Sequence, residues 1–356
     1  MTYSTSQAHF EELFRRTKRT HSFTAGTREE FAEWSEALRL RLAQLTGMDR
    51  MTACASEPRH SEAVPCKGYT RHKLTMKTEQ DVVMPFYLLI PDGMKADERR
   101  TAVIACHGHS SNGKESVAGV EDGGCVSRAI AHYSYRYGEA LAQMGYIVFA
   151  PDARGFGERR ERYDQGDEDE RRMASSCEYL NKMAIPLGQT VTGMWIWDLM
   201  RLADYALSCK EVNGHIACVG LSGGGLQSLW LGALDRRIEC CVVSGYFYGY
   251  LESLLVRLNC SCNYVPHLWE TADIGDIGAL LAPRPLLIET GNRDELNGAG
   301  NLDNVVPQVD IVRRAMDVMG CPENIYHDIF DGEHRWHGDH AYEWLKLHTP
   351  PVMEVK

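Results

Sequence analysis

A serine, an aspartate and a histidine carry the chemistry that this chain can do. The serine is Ser222, in "CVGLSGGG" (Cys218 to Gly225). Residues Gly220 to Gly224 read G-x-S-x-G, between the strand-like run "HIACV" and the apolar helical run "LQSLWLGAL". Glycines on both sides let the backbone turn sharply and hold a hydroxyl out at the tip. Gly223 stands at the mouth of the helix, where its N–H can face charge developing on an attacked carbonyl oxygen. Two other uses of such glycines fail. A phosphate-cradling loop needs a following lysine, and a dinucleotide-binding turn would sit after the first strand rather than a late one.

A serine hydroxyl needs a base to become a nucleophile. Downstream lie His267, His327, His334, His337, His340 and His348. His327 falls in the strand-like "IYHDIF", and His340 and His348 fall on the final helix. His334 stands in "FDGEHRWHG", a loop just past a strand end, and is preferred to His337, one turn further on. Asp294 follows the strand "PLLIET" and can accept the imidazole N–H, fixing its tautomer. Glu289 is still within that strand, Glu295 is adjacent, and Asp331 lies on the strand that delivers the histidine. A second oxyanion donor is the backbone N–H of His109, in "HGHSSNGK", with its imidazole expected to face solvent.

These residues all need one framework. Apolar runs ending in glycine-rich turns ("TAVIACHGH", "YIVFAPDARGFG", "HIACVGLSGGG", "CCVVSGYF", "PLLIETGNRDE") alternate with helical patterns such as "RAIAHYSYRYGEALAQMG" and "GMWIWDLMRLADYALS". Buried strands alternating with helices predict an α/β fold, a mostly parallel sheet with helices on both faces. Ligands of such sheets bind beyond the carboxyl ends of the strands, where the serine, acid and histidines fall. "YTRHKLTMKT" and "VVMPFYLLIPDG" read as an antiparallel edge pair. Before them, residues 1–64 read as a helical extension, packing on the core or on a neighbouring subunit. Its clearest helix has a capping-box pattern at Thr27 and Glu30, then Phe31, Trp34, Leu38, Leu42 and Leu45 at helical spacing. Residues 65–356 form the expected catalytic domain, with a cap-like insertion at about 250–282, longer than a crossover needs.

The 356 residues carry a formal charge of −11, which excludes a protein built to neutralise phosphate backbones. The basic residues of Glu158 to Arg172 alternate with acids and read as a solvated loop. No run approaches a membrane span, and the first residues lack a signal-type apolar stretch, so a cytoplasmic location is expected. The twelve cysteines include no C-x-x-C pair and are expected to stay reduced. No metal is expected. H-E-x-x-H is absent, His334, His337 and His340 recur every third residue instead, and Cys260-Ser261-Cys262 has no second cysteine pair.

Taken in order, "HGHSSNGK", "FAPDARGFGERR", "CVGLSGGG", "APRPLLIETGNRDE" and "FDGEHRWHG" resemble the dienelactone-hydrolase and acetyl-xylan-esterase-like branch of the α/β-hydrolase superfamily, over roughly residues 65–350. The resemblance implies the α/β-hydrolase fold and the order nucleophile, acid, histidine, onto which Ser222, Asp294 and His334 map. The dienelactone hydrolases carry a cysteine at the elbow where this chain has Ser222, which favours ordinary ester hydrolysis. The expectation is a serine carboxylic-ester hydrolase working through an acyl-enzyme without a cofactor. Its partner is a small ester of a short, acetyl-type acyl group, such as an acetylated carbohydrate. Trp195, Tyr246, Phe247 and Trp269 are candidates for a sugar-stacking pocket wall. The alternatives are a peptidase or amidase on the same residues and a catalytically silent binding protein.

Overall fold

A computed structural model describes residues 3–352. The chain opens with α1 (Gln7–Arg16) and α2 (Arg28–Thr46), then forms a meander of β1 (Arg59–Cys66), β2 (Tyr69–Glu79) and β3 (Val82–Pro91). After β4 (Arg100–Cys106) come α3 (Lys114–Val117), α4 (Cys125–Tyr133), α5 (Tyr137–Gln143) and β5 (Ile147–Pro151). Next are α6 (Asp169–Arg172), α7 (Cys177–Ala184), α8 (Val191–Ser208), β6 (Val212–Leu221), α9 (Gly223–Leu234) and β7 (Cys240–Ser244). A long segment containing α10 (Ile274–Ala279) reaches β8 (Leu286–Gly291), and α11 (Leu302–Met319), β9 (Ile325–Phe330) and α12 (Ala341–His348) follow.

The strands form one nine-stranded sheet in the order β1-β2-β3-β5-β4-β6-β7-β8-β9. The pairs β1–β2, β2–β3 and β3–β5 are antiparallel, and the rest of the sheet is parallel. Strands β5, β7 and β8 are buried along their whole length. That is why they read as unbroken apolar runs: helices cover both faces of the sheet. One face packs under α2, α8, α9 and α11 through residues such as Leu38, Trp195, Leu229 and Val309. The other packs under α4, α5 and α12 through residues such as Val126, Leu141 and Leu345.

β1 was not legible as a strand. "RHSEAVPC" is almost wholly exposed, so it carries no apolar alternation. It is an edge strand with Pro65 and a register shift between His60 and Glu62, devices that suit an unpaired edge. The boundary placed at 64/65 therefore falls inside β1.

The helical extension packs on its own chain. The capping box at Thr27 and Glu30 starts α2, which buries Phe31, Leu38 and Leu42 against the α8, α9 and α11 layer. Arg39 donates to the carbonyls of Ala233 (2.8 Å) and Leu280 (2.6 Å). Between the two helices, the N–H groups of Thr20 and His21 donate to the carbonyls of Glu270 and Thr271. The extension thus grips the outer part of the 250–282 insertion rather than lying beside it.

Candidate active site

Ser222 is the last residue before α9 and has φ 61° and ψ −119°. A non-glycine residue is rarely held there, because its Cβ crowds the backbone. Three local features impose the turn. The Ser222 N–H donates to the Ser244 carbonyl at the end of β7 (2.9 Å). A Cβ on Gly224 would lie 2.1 Å from the Cys106 carbonyl oxygen, so only glycine lets α9 start this close to β4. A Cβ on Gly223 would strike the His109 imidazole at 2.6 Å. As the first residue of α9, Gly223 has no acceptor for its N–H within the helix. Among the described residues neither it nor the N–H of His109 donates elsewhere.

His334 follows β9 in a loop, and its Nδ1 lies 2.6 Å from Asp294 Oδ2. A carboxylate only accepts, so Nδ1 carries the proton and Nε2 is left as the acceptor. Asp294 is 4% exposed, and its other oxygen accepts the N–H of Leu296 (2.8 Å). The carboxylate is therefore fixed in place before it meets the imidazole. The competing His337 is engaged elsewhere. Its Nδ1 lies 2.7 Å from Asp328 Oδ2, and its ring stacks on Phe330 with centroids 4.3 Å apart.

Glu289, set aside as a strand residue, has a supporting part in the histidine loop. Its buried carboxylate accepts the N–H groups of His337 (3.2 Å) and Gly338 (2.7 Å). Burial nonetheless pushes its carboxyl above the ordinary range. No local pattern marks this role, because the partners are backbone groups nearly fifty residues away.

Ser222, Asp294, His334 and His109 line one cavity of about 510 Å³, together with Ser110, His132, Tyr133, Arg257, Asn259, Cys260 and Arg293 among others. A second cleft, of about 350 Å³ beside Lys114 and Arg172, contains neither the serine nor a histidine. The structure corrects the expected pocket wall. Trp195 is buried, with its indole N–H on the Arg154 carbonyl (2.9 Å). Tyr246 is buried and donates to Asn263 (2.8 Å). Phe247 is 2% exposed and sits in the core. Trp269 donates to the Phe14 carbonyl of α1 (2.8 Å) and pairs edge-on with the Phe14 ring. All four aromatic side chains serve packing, and none of them lines the cavity. The insertion still reaches the site, through Arg257, Asn259 and Cys260.

Two further expectations change. The His109 imidazole is half-buried rather than free in solvent: its Nε2 lies 3.1 Å from Cys262 Sγ, and its ring packs on Phe156 and Trp195. Nor are Cys260 and Cys262 without soft neighbours, since Cys177 and His109 close on them. That cluster joins three distant segments, so spacing along the chain could not show it. All twelve cysteines carry free thiols.

A buried ion pair braces the loop that carries His109. Lys114 Nζ lies 2.7 Å from Asp152 Oδ2, with side-chain exposures of 1% and 0%, and also contacts Glu158. The Lys114 N–H donates to the other Asp152 oxygen (2.8 Å). Burial would strip the ammonium of its proton, but Asp152 and Glu158 outweigh it and keep the group charged. Lys114→Met leaves Asp152 unpaired in the interior. It should lower unfolding stability by about 3–5 kcal/mol in urea titrations. An unchanged midpoint would show that the pair does not brace the loop.

A mostly parallel sheet, a strained serine between β6 and α9, and an acid and a histidine after β8 and β9 define an α/β-hydrolase. The profile of the Abhydrolase family matches residues 2–348, and the chain belongs to that family. It is 29% identical over 189 residues to "Putative hydrolase YtaP" of Bacillus subtilis (strain 168), an alignment covering 52% of this chain and 59% of that protein. The match thus spans about three-fifths of the curated relative's length. Among solved structures, a "putative acetyl xylan esterase" of Bacteroides fragilis superposes with a TM-score of 0.74 at 21% identity, over 93% of this chain and 83% of that one. A glucuronoyl esterase from Solibacter usitatus does so with a TM-score of 0.58 at 13% identity, over 93% and 97%. At these identities the likeness is one of fold. Among the described residues no helix is long and apolar enough to cross a membrane.

Proposed function

We propose that this protein is a serine carboxylic-ester hydrolase. The observation that carries the reading is the meeting, in one cavity, of a serine held at positive φ and a histidine already oriented by a buried aspartate. In the proposed cycle Ser222 Oγ attacks the ester carbonyl while His334 Nε2 takes its proton. The N–H groups of Gly223 and His109 stabilise the tetrahedral oxyanion. His334 then protonates the leaving alcohol, and an acyl group stays on Ser222. Water, deprotonated by His334, releases the acid and restores the serine. Asp294 holds the imidazole in the accepting tautomer and stabilises its charged form. No step calls on a cofactor.

The substrate side rests on the cavity lining. Arg257, Arg293, Asn259, His132 and Ser110 outnumber the apolar groups there, and Tyr133 is the one aromatic ring without a nitrogen. Such a wall offers hydrogen bonds to a polar alcohol rather than a slot for a long acyl chain. We therefore favour short acyl esters of polar alcohols, acetylated carbohydrates among them. The fold relatives described as acetyl xylan and glucuronoyl esterases agree with this choice. A matched panel tests it: p-nitrophenyl acetate, butyrate and octanoate, the corresponding acetanilide, and an acetylated sugar. The expected order puts acetate first, octanoate last, and the anilide below every ester. Faster anilide than ester turnover would replace this reading with an amidase.

A further inference from the structure

The side chains of His109, Cys177, Cys260 and Cys262 carry out no step of the chemistry proposed above, which uses only the backbone N–H of His109, and their composition is that of a ligand set. His109 comes from the loop after β4, Cys177 opens α7, and the other two belong to the insertion. One ligand atom from each lies within 4.8 Å of all the others. Tetrahedral zinc with Zn–S near 2.3 Å and Zn–N near 2.0 Å requires S···S separations of about 3.8 Å and N···S separations of about 3.6 Å. His109 and Cys262, at 3.1 Å, would part by about half an ångström, and the wider pairs would close by up to about one.

Elsewhere in the chain buried cysteines act as small apolar residues. Cys106 and Cys218, 3.8 Å apart, lie within the apolar core. The cluster differs in having a ring nitrogen and three sulfurs turned toward one point. Its frame is also built. Asn181 of α7 donates to the Ser261 carbonyl (2.8 Å), and Thr192 of α8 donates to the Cys262 carbonyl (2.5 Å). Asn263 donates to the Cys260 carbonyl (3.0 Å). Phe156 and Trp195 wall the His109 ring. The loop carrying two of the ligands is thus fixed by side chains from the helices beneath it, as ligating groups generally are.

We propose that His109, Cys177, Cys260 and Cys262 form a closed tetrahedral Cys3His site for zinc. Three thiolates and an imidazole are soft donors that disfavour magnesium and calcium, and four protein ligands leave no open position for substrate. The role is structural, tying the insertion and α7 to the loop that presents the His109 N–H. Each of the three thiols gives up one proton to solvent as zinc binds, and His109 binds neutral through Nε2. The second group of close ligand atoms, Glu289, Asp328 and His337, is already spent on backbone N–H groups and on the His337–Asp328 pair.

The test is elemental analysis of full-length protein purified under reducing conditions, beside C260S, C177S and the control C54S. About one zinc per chain is expected in the wild type and in C54S, with loss in both cluster variants. Reconstitution of chelated wild type with cobalt(II) should give thiolate-to-cobalt charge-transfer absorption and tetrahedral d–d bands. C260S should lack them even if it binds no substrate. The proposal is overturned by metal-free wild type that shows no cobalt bands. Equal zinc in C260S, C177S and wild type, or a disulfide among the three cysteines in freshly reduced protein, would overturn it too. These readouts do not depend on ester hydrolysis, so this site and the proposed activity can fail separately.

Discussion

Ser222→Ala should lower kcat for p-nitrophenyl acetate by about four to six orders of magnitude and leave the thermal unfolding midpoint within a few degrees of wild type. The size follows from what the hydroxyl does in the proposed cycle. It forms the covalent bond to the acyl group, so no neighbouring side chain replaces it. The residual rate would come from binding and from the Gly223 and His109 N–H groups, which the substitution leaves in place. The fold should hold because alanine has the same backbone needs as serine. The Ser222 N–H to Ser244 bond and the packing of Gly224 on Cys106 do not involve the hydroxyl. Rapid mixing should show a burst of p-nitrophenol from wild type, if deacylation limits turnover, and none from the variant. A loss of less than about tenfold would remove Ser222 from the chemistry.

Asp294→Asn should cost about four orders of magnitude in kcat, with the fold again intact. The asparagine oxygen can still accept the Leu296 N–H, so the turn after β8 survives. The amide nitrogen then faces His334 Nδ1 where a carboxylate oxygen stood, 2.6 Å away. A donor there drives the imidazole proton to Nε2, and the ring can no longer take a proton from serine. High pH should restore part of the rate, through hydroxide rather than through the imidazole, so the pH–rate profile should lose its plateau. A structural role for Asp294 would instead lower stability and leave the profile's shape unchanged. His337→Gln makes a useful contrast, since His337 is bound to Asp328 and should tolerate the change with activity largely kept.

How much of this was readable in advance differs from one part to another. The central strands were legible because double-sided burial makes them short apolar runs, and each run ends in the turn that carries a site residue. Ser222, Asp294 and His334 could be nominated because each stands just past such a run, and the structure places all three on the wall of one cavity. The start of α2 was legible because a capping box is a local pattern, and Thr27 and Glu30 form one. β1 was not, because an exposed edge strand has no buried face to impose alternation. The aromatic residues misled for a related reason: composition says that Trp195 and Trp269 are large and apolar, but not whether they face a cavity or a helix. Trp195 meets the backbone of Arg154, and Trp269 meets α1. Glu289 was set aside as a strand residue, and Cys260 and Cys262 were set aside for want of a second cysteine pair. Their partners lie far away along the chain, and only the tertiary fold brings them together.

The N-terminal extension shows the same limit from another side. Its helical spacing predicted a buried stripe, and α2 has one. Spacing could not say what covers that stripe. The answer is the α8, α9 and α11 layer of the same chain, with the Thr20–His21 segment paired to the insertion. The insertion in turn contributes Arg257, Asn259 and Cys260 to the cavity, which links residues far from the chemistry to the shape of the site.

The measurement that bears most directly on the central claim is covalent trapping. Wild-type protein treated with a fluorophosphonate should gain the mass of one adduct per chain, and peptide mapping should place it on Ser222. Loss of hydrolysis should run parallel to labelling, and Ser222→Ala should take up no label. An active wild type that stays unmodified, or an adduct on another residue that accounts for the lost activity, would contradict the account.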